Sequence, residues 1–128
     1  MTNERLNVLG GIILDAAITV HRELGPGLLE SAYRVALKKE LELRNLFIRA
    51  HVPVELFYKG AALGKCYEID LLVENEIILE LKSAEAIPPI FVAQVITYLK
   101  LYNKKLGYLI NFNVNFLKDG FKRIVHNF

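Results

Sequence analysis

Two apolar runs, residues 67–73 and 77–81, flank the polar segment Glu74-Asn75-Glu76. Asp70 sits inside the first run, and Glu80 and Lys82 stand at the end of the second. Short apolar runs bounded by turn residues read as strands buried on both faces, so a hairpin of two such strands must belong to a sheet covered on both sides. Three charges in that setting cost free energy unless they are paired or bound to a cation. Glu80 and Lys82 are two residues apart and project from one face of a strand. With Asn75 at the centre of a three-residue loop, Asp70 falls directly opposite Glu80, with β-carbons about 5 Å apart on a shared face. A two-residue loop would place them on opposite faces instead. Like charges directly opposed are destabilising, and a divalent cation such as Mg²⁺ or Mn²⁺ would neutralise them. A structural ion pair at a sheet end is the plainer alternative.

The rest of the chain supplies the covering layers. Leu6, Leu9, Ile13, Ala16, Ala17, Val20 and Leu24 recur at helical spacing, predicting a helix over about 4–23 that Gly25-Pro26-Gly27 stops. A second helix is expected over about 28–44, with Leu29, Ala32, Tyr33, Ala36, Leu37 and Leu41 as its buried stripe. Residues 47–58 read as a strand, with Pro53 marking an edge or a bulge. Lys59-Gly60-Ala61-Ala62 turns that strand into the hairpin. Pro88-Pro89 opens a third helix over about 90–103. Residues 106–112 form a compact apolar strand, and 121–128 a final strand after a turn at Lys118-Asp119-Gly120. The order ααβββαββ predicts an α/β fold, a mixed sheet of four to five strands flanked by helices.

At 128 residues the chain is expected to be a single domain over 1–128, with room for a real core. Its hydrophobic share of 53% excludes long disorder. A net charge of +2 is too small to announce a polyanion partner. The C-terminal third is nonetheless basic, with Lys100, Lys104, Lys105, Lys118, Lys122 and Arg123 against Asp119 alone after Glu85. That face is either solvated or contacts phosphate. The single cysteine, Cys66, excludes an internal disulfide and a cysteine-rich zinc site, and its position in an apolar strand predicts a small core residue. Residues 8–20 are apolar but interrupted by Asp15, too short to span a membrane and without a cleavage pattern. A cytoplasmic protein without membrane contact is expected.

Asp on the second strand and Glu-x-Lys on the third, within an α-β-β-β-α-β order, resemble the PD-(D/E)XK nuclease superfamily. Gly27-Leu28-Leu29-Glu30-Ser31-Ala32-Tyr33 matches the motif that names its GxxExxY family. The wider run from His21 to Glu30 looks like that family's start, and Gly107-Tyr108-Leu109-Ile110-Asn111-Phe112 like its end. The resemblance implies Asp70, Glu80 and the Leu81 carbonyl as ligands of Mg²⁺ or Mn²⁺. It implies Lys82 as the group that orients or deprotonates the attacking water, or that stabilises phosphate charge. Glu30, in the first turn of its helix, resembles the superfamily's first-helix acid, although a carboxylate there is also simply favoured by the helix dipole. Gln94-x-x-x-Tyr98 spans one helical turn and is similar to the Gln-x-x-x-Tyr element beside the active site of RecB-like nucleases. Related sequences often carry a polar residue, commonly histidine, where this chain has Phe91.

Several residues read more plainly. Tyr33 falls on an apolar stripe, which favours core over site. Arg34 shares the face of Glu30. Glu68 reads as a rim residue, and Glu55 is an outside candidate for a further acid. His21, His51 and His126 have no metal-ligand spacing. The expected function is metal-dependent phosphodiester hydrolysis on nucleic acid, DNA before RNA. Without a separate reading domain, specificity calls for a homodimer or a partner protein. The alternatives are a nucleic-acid- or protein-binding module that keeps the nuclease fold without turnover, and a structural subunit that self-associates.

Overall fold

Leu6, Leu9, Ile13, Ala16, Ala17 and Val20 are all buried in the computed structural model, which describes residues 1–128. They form the inner stripe of α1 (Asn3–Leu24), whose first turn is capped by the Thr2 hydroxyl accepting from the Arg5 amide. Gly25, at φ 70, ends the helix, its amide donating to the His21 carbonyl. Tyr33, Leu37 and Leu41, four apart, are the buried residues of α2 (Glu30–Leu43). The chain continues through β1 (Ile48–Tyr58), β2 (Ala61–Val73), β3 (Ile77–Lys82), α3 (Pro89–Tyr102), β4 (Leu106–Asn111), a single 3₁₀ turn at Leu117–Gly120, and β5 (Phe121–Val125). No helix is long and apolar enough to cross a membrane.

The five strands form one sheet in the order β1-β2-β3-β4-β5. Only β3 and β4 run parallel, joined through α3. β4 is buried throughout and β3 up to Leu81, the expected result for strands covered on both faces. α1 and α2 share one core with Leu71, Val73, Ile77, Leu79 and Leu81. α3 covers the other face with Val95, Tyr98 and Leu99 against Ile69, Leu72, Ile78 and Leu109. The α/β architecture expected from the sequence is the one found.

Several sequence expectations need correction. Leu29 and Ala32 are exposed rather than part of a buried stripe, because α2 starts only at Glu30 and turns just Tyr33, Leu37 and Leu41 inward. Cys66 is exposed, not a core residue. Tyr67 is also exposed, so the doubly buried part of β2 starts at Ile69. The cause is length: β2 begins at Ala61, while its pairing with β3 is confined to residues 71–73, so residues 61–68 pair with β1 alone. The last strand stops at Val125 rather than Phe128. Pro53 lies on the sheet-edge strand β1, one residue before a register shift between Val54 and Glu55, as a proline in a strand requires.

Candidate metal centre

The loop between β2 and β3 has three residues. Val73 pairs with Ile77, Glu74 and Asn75 take left-handed φ values of 52 and 55, and the Glu76 amide closes onto the Val73 carbonyl. That register continues to Leu72–Ile78 and Leu71–Leu79, then the ladder stops. Asp70 and Glu80 are therefore the first facing positions beyond its end.

The hairpin explains why it stops there. On β1, Ile48 and Ala50 pack toward α1 and α2, whereas Val52 and Val54 pack toward α3. On β2, Leu71 and Val73 pack toward α1 and α2, whereas Ile69 packs toward α3. Regular alternation would keep residues two apart on one face. Both strands thus swap faces at a single level, between Ala50 and Val52 and between Leu71 and Ile69. His51, with a left-handed φ of 54, is the pivot on β1, and Asp70 is the pivot on β2. As β2 turns away, the Leu81 amide loses its ladder partner, and a buried amide must find an acceptor. It donates to Asp70 Oδ2 at 2.8 Å. In parallel pairing the Phe112 amide donates to the Lys82 carbonyl, so the peptide groups of Leu81 face β2 rather than β4. The Leu81 carbonyl is thereby on the Asp70 side of the strand.

Glu80 projects toward α3 and is buried, only 5% exposed. Its Oε1 is fully enclosed and has no hydrogen-bond partner. Burial pushes the carboxyl up to about 8, with the Asp70 charge adding to the rise and Lys82 opposing it. Lys82 Nζ lies 3.8 Å from Glu80 Oε2, and Arg34 of α2 approaches Asp70 Oδ1 at 3.9 Å. Neither distance is a hydrogen bond. The Lys82 ammonium also rests over the Phe91 ring, 4.3 Å from its centroid, a favourable cation–π contact.

An open groove of about 490 Å³ joins Asp70 and Glu80 with Gln94 and Tyr98 of α3. Burial, then the nearby Glu80 charge, pushes the Tyr98 phenol up, so its hydroxyl stays protonated. Glu30 is placed differently. It stands exposed at the start of α2, one turn from Arg34, and is not part of the groove wall. Tyr33 is fully buried and stacked on Phe112, with its hydroxyl donating to the Gly25 carbonyl, as a core residue would be. Glu68 is exposed beside His51, and Glu55 lies outside the groove. Sequence reasoning did not single out the Arg34–Asp70 contact, although Arg34 lies one turn past Glu30. The use of Phe91 as a plate beneath Lys82 had no sequence signal.

The donors at this point are oxygens: two carboxylates and a main-chain carbonyl. No group of three or more His, Cys, Asp or Glu side chains converges on one point. A Mg²⁺ site commonly uses one or two carboxylates, completing its shell with waters and substrate phosphates. The partnerless Glu80 Oε1 beside Asp70 fits such an ion, because a buried acceptor with no donor is what a hard cation would satisfy.

A family model described as the PD-(D/E)XK nuclease superfamily matches residues 7–124. Comparison with curated proteins and with solved structures yields no match. The matched span runs from α1 into β5 and takes in every element that positions Asp70 and Glu80, and the chain belongs to the PD-(D/E)XK nuclease superfamily.

Proposed function

We propose that this single domain is a cytoplasmic, GxxExxY-type nuclease, a Mg²⁺- or Mn²⁺-dependent phosphodiesterase acting on nucleic acid, with DNA the expected substrate. The observation that carries this reading is the facing pair Asp70 and Glu80, with a partnerless buried oxygen on Glu80 and Lys82 alongside. Asp70, Glu80 and the Leu81 carbonyl would hold the ion. When bound, it supplies positive charge to the phosphate and makes water a better nucleophile at neutral pH. The side chains do the positioning. The Leu81 amide fixes the Asp70 carboxylate at 2.8 Å, and the Phe91 ring supports the Lys82 ammonium 3.8 Å from Glu80 Oε2. From there Lys82 orients the attacking water and stabilises charge that builds on the phosphate oxygens. Tyr98, kept neutral by burial, and Gln94 offer hydrogen bonds from α3. Glu30 acts through water or on substrate, given its exposed position.

Purified protein should cleave labelled oligonucleotides only with Mg²⁺ or Mn²⁺. Asp70→Ala and Glu80→Ala should each abolish cleavage, and persistence in either variant would sink the mechanism. One observation favours a second reading, a nucleic-acid- or protein-binding module without turnover: the third acid, Glu30, is not part of the groove wall. Calorimetry with Mn²⁺ separates the two, since a binding module without a metal centre would give no heat.

A further inference from the structure

The groove does not end at the acid pair. Between the outer half of the β1–β2 hairpin and α3 lies a cleft of about 450 Å³, walled by Leu56, Tyr67, Ile90, Phe91, Gln94 and Tyr98. Tyr67, Gln94 and Tyr98 line both this cleft and the groove holding Asp70 and Glu80, so the two adjoin along these three side chains. The cleft is within the size range of small-molecule sites. Its wall is apolar and open: Tyr67 is 48% exposed and Ile90 67% exposed. The Tyr67 ring stands 6.2 Å from that of Tyr98 at 52°, leaving its outer face free. Among these apolar groups the Gln94 amide provides both donors and an acceptor. Cations flank the cleft and the groove, with Lys82 over the Phe91 ring and Lys65 on the groove wall.

We infer that this cleft holds an unpaired nucleobase of the strand whose phosphate reaches Asp70 and Glu80, so that the site takes single-stranded nucleic acid or a single-stranded stretch of a duplex. The inference rests on the nuclease reading and specifies its substrate. Continuity selects the occupant: whatever fills the cleft adjoins the phosphate position, and a nucleobase is a flat, largely apolar body one backbone unit from a phosphate. Every base has a face that stacks on an aromatic ring, and a polar side chain among the rings can meet its edge. A base inside a duplex has both faces covered by its neighbours and must leave the stack to enter such a cleft.

Fluorescence anisotropy tests this with three probes: oligothymidylate, a strand of equal length built of abasic units, and a duplex. The protein should bind oligothymidylate more tightly than either of the others. Tyr67→Ala should weaken oligothymidylate binding about tenfold and leave the abasic strand unchanged. Tyr67→Phe, which keeps the ring, should bind as the unchanged protein does, which separates stacking from misfolding. Equal losses on both strands, no loss at all, or preference for the duplex would overturn the inference. So would a dimer that dissociates on Tyr67→Ala in sedimentation, since a second copy would then fill the cleft. Mg²⁺-dependent cleavage is followed in parallel. If cleavage persists while the Tyr67 effects are absent, the base site fails and the nuclease reading stands. If neither binding nor cleavage occurs, both fail.

Discussion

Replacing Glu80 by Gln should stabilise the metal-free protein, and by an amount that grows with pH. In the folded chain the Glu80 carboxyl is pushed from 4.5 to about 8, first by burial and then by Asp70. An unfolded chain releases this proton near the lower value, whereas the folded chain keeps it. Between the two values the folded state binds more protons, so stability falls as pH rises and levels off above about 8. At about 1.36 kcal/mol per unit the full span is roughly 5 kcal/mol, of which about 4 kcal/mol is lost by pH 7.5. Gln has nearly the shape of the protonated acid and does not titrate. Urea unfolding in EDTA should therefore give nearly equal stabilities for the two proteins at about pH 4 and below, and an advantage for Glu80→Gln on the order of 4 kcal/mol near pH 8. Saturating Mn²⁺ should recover much of the loss in the unchanged protein and none in the variant. A pH-independent difference, or a variant less stable at pH 8, would refute the reasoning. It would mean that Lys82 holds Glu80 ionised despite its burial.

Two further substitutions test what positions the site. Tyr33→Phe removes the hydroxyl that donates to the Gly25 carbonyl and accepts from the Leu28 amide, while keeping the stack on Phe112. It should cost about 1–3 kcal/mol in urea unfolding, because the turn before α2 loses both ties. Gly120→Ala would place a methyl against the Asn111 carbonyl, 3.0 Å from its carbon. A loss of about 1–3 kcal/mol is expected, and an unchanged melting temperature would show that the Leu117–Gly120 turn moves freely.

The sequence is most readable where side chains repeat with the period of their element. The stripe from Leu6 to Val20 and the trio Tyr33, Leu37 and Leu41 are buried as their spacing requires. The polar segment at Asn75 marks the turn, and of the two loop lengths the sequence allows, the three-residue loop is the one found, which sets the Asp70–Glu80 register. What was not legible depends on neighbours. Cys66 and Tyr67 are in a strand, but no third strand pairs at that level and α3 meets it only along an open cleft, and no local pattern reveals how far a partner extends. The face swap at His51 and Asp70 was equally hidden, since a left-handed histidine carries no mark in the sequence. The start of α2 moved from the expected Leu28 to Glu30 because Leu29 is extended, at φ −70 and ψ 151, and offers no capping side chain.

The chain contains its own comparison for the structural ion-pair alternative. Arg44 hydrogen-bonds Glu40 at 3.0 Å, contacts Asp15 and donates to Thr19 at 3.1 Å, so its guanidinium is held by direct bonds. Its pKa is raised, chiefly by Asp15, which is the behaviour of a closed ionic cluster. Asp70 and Glu80 show the opposite pattern. Arg34 and Lys82 stop at 3.9 and 3.8 Å, outside hydrogen-bond range, and Glu80 keeps one buried oxygen without a partner. Lys82 also leans on Phe91, a contact that competes with closing on Glu80. A pair selected for stability alone would gain from shortening those contacts, because Glu80 is so incompletely paired that the metal-free fold holds its proton up to about pH 8. The face swap at Asp70 turns β2 away and opens this point of the sheet to the groove. The two adjacent carboxyl groups thus stand at a place accessible from outside, as the proposed cation and phosphate would require.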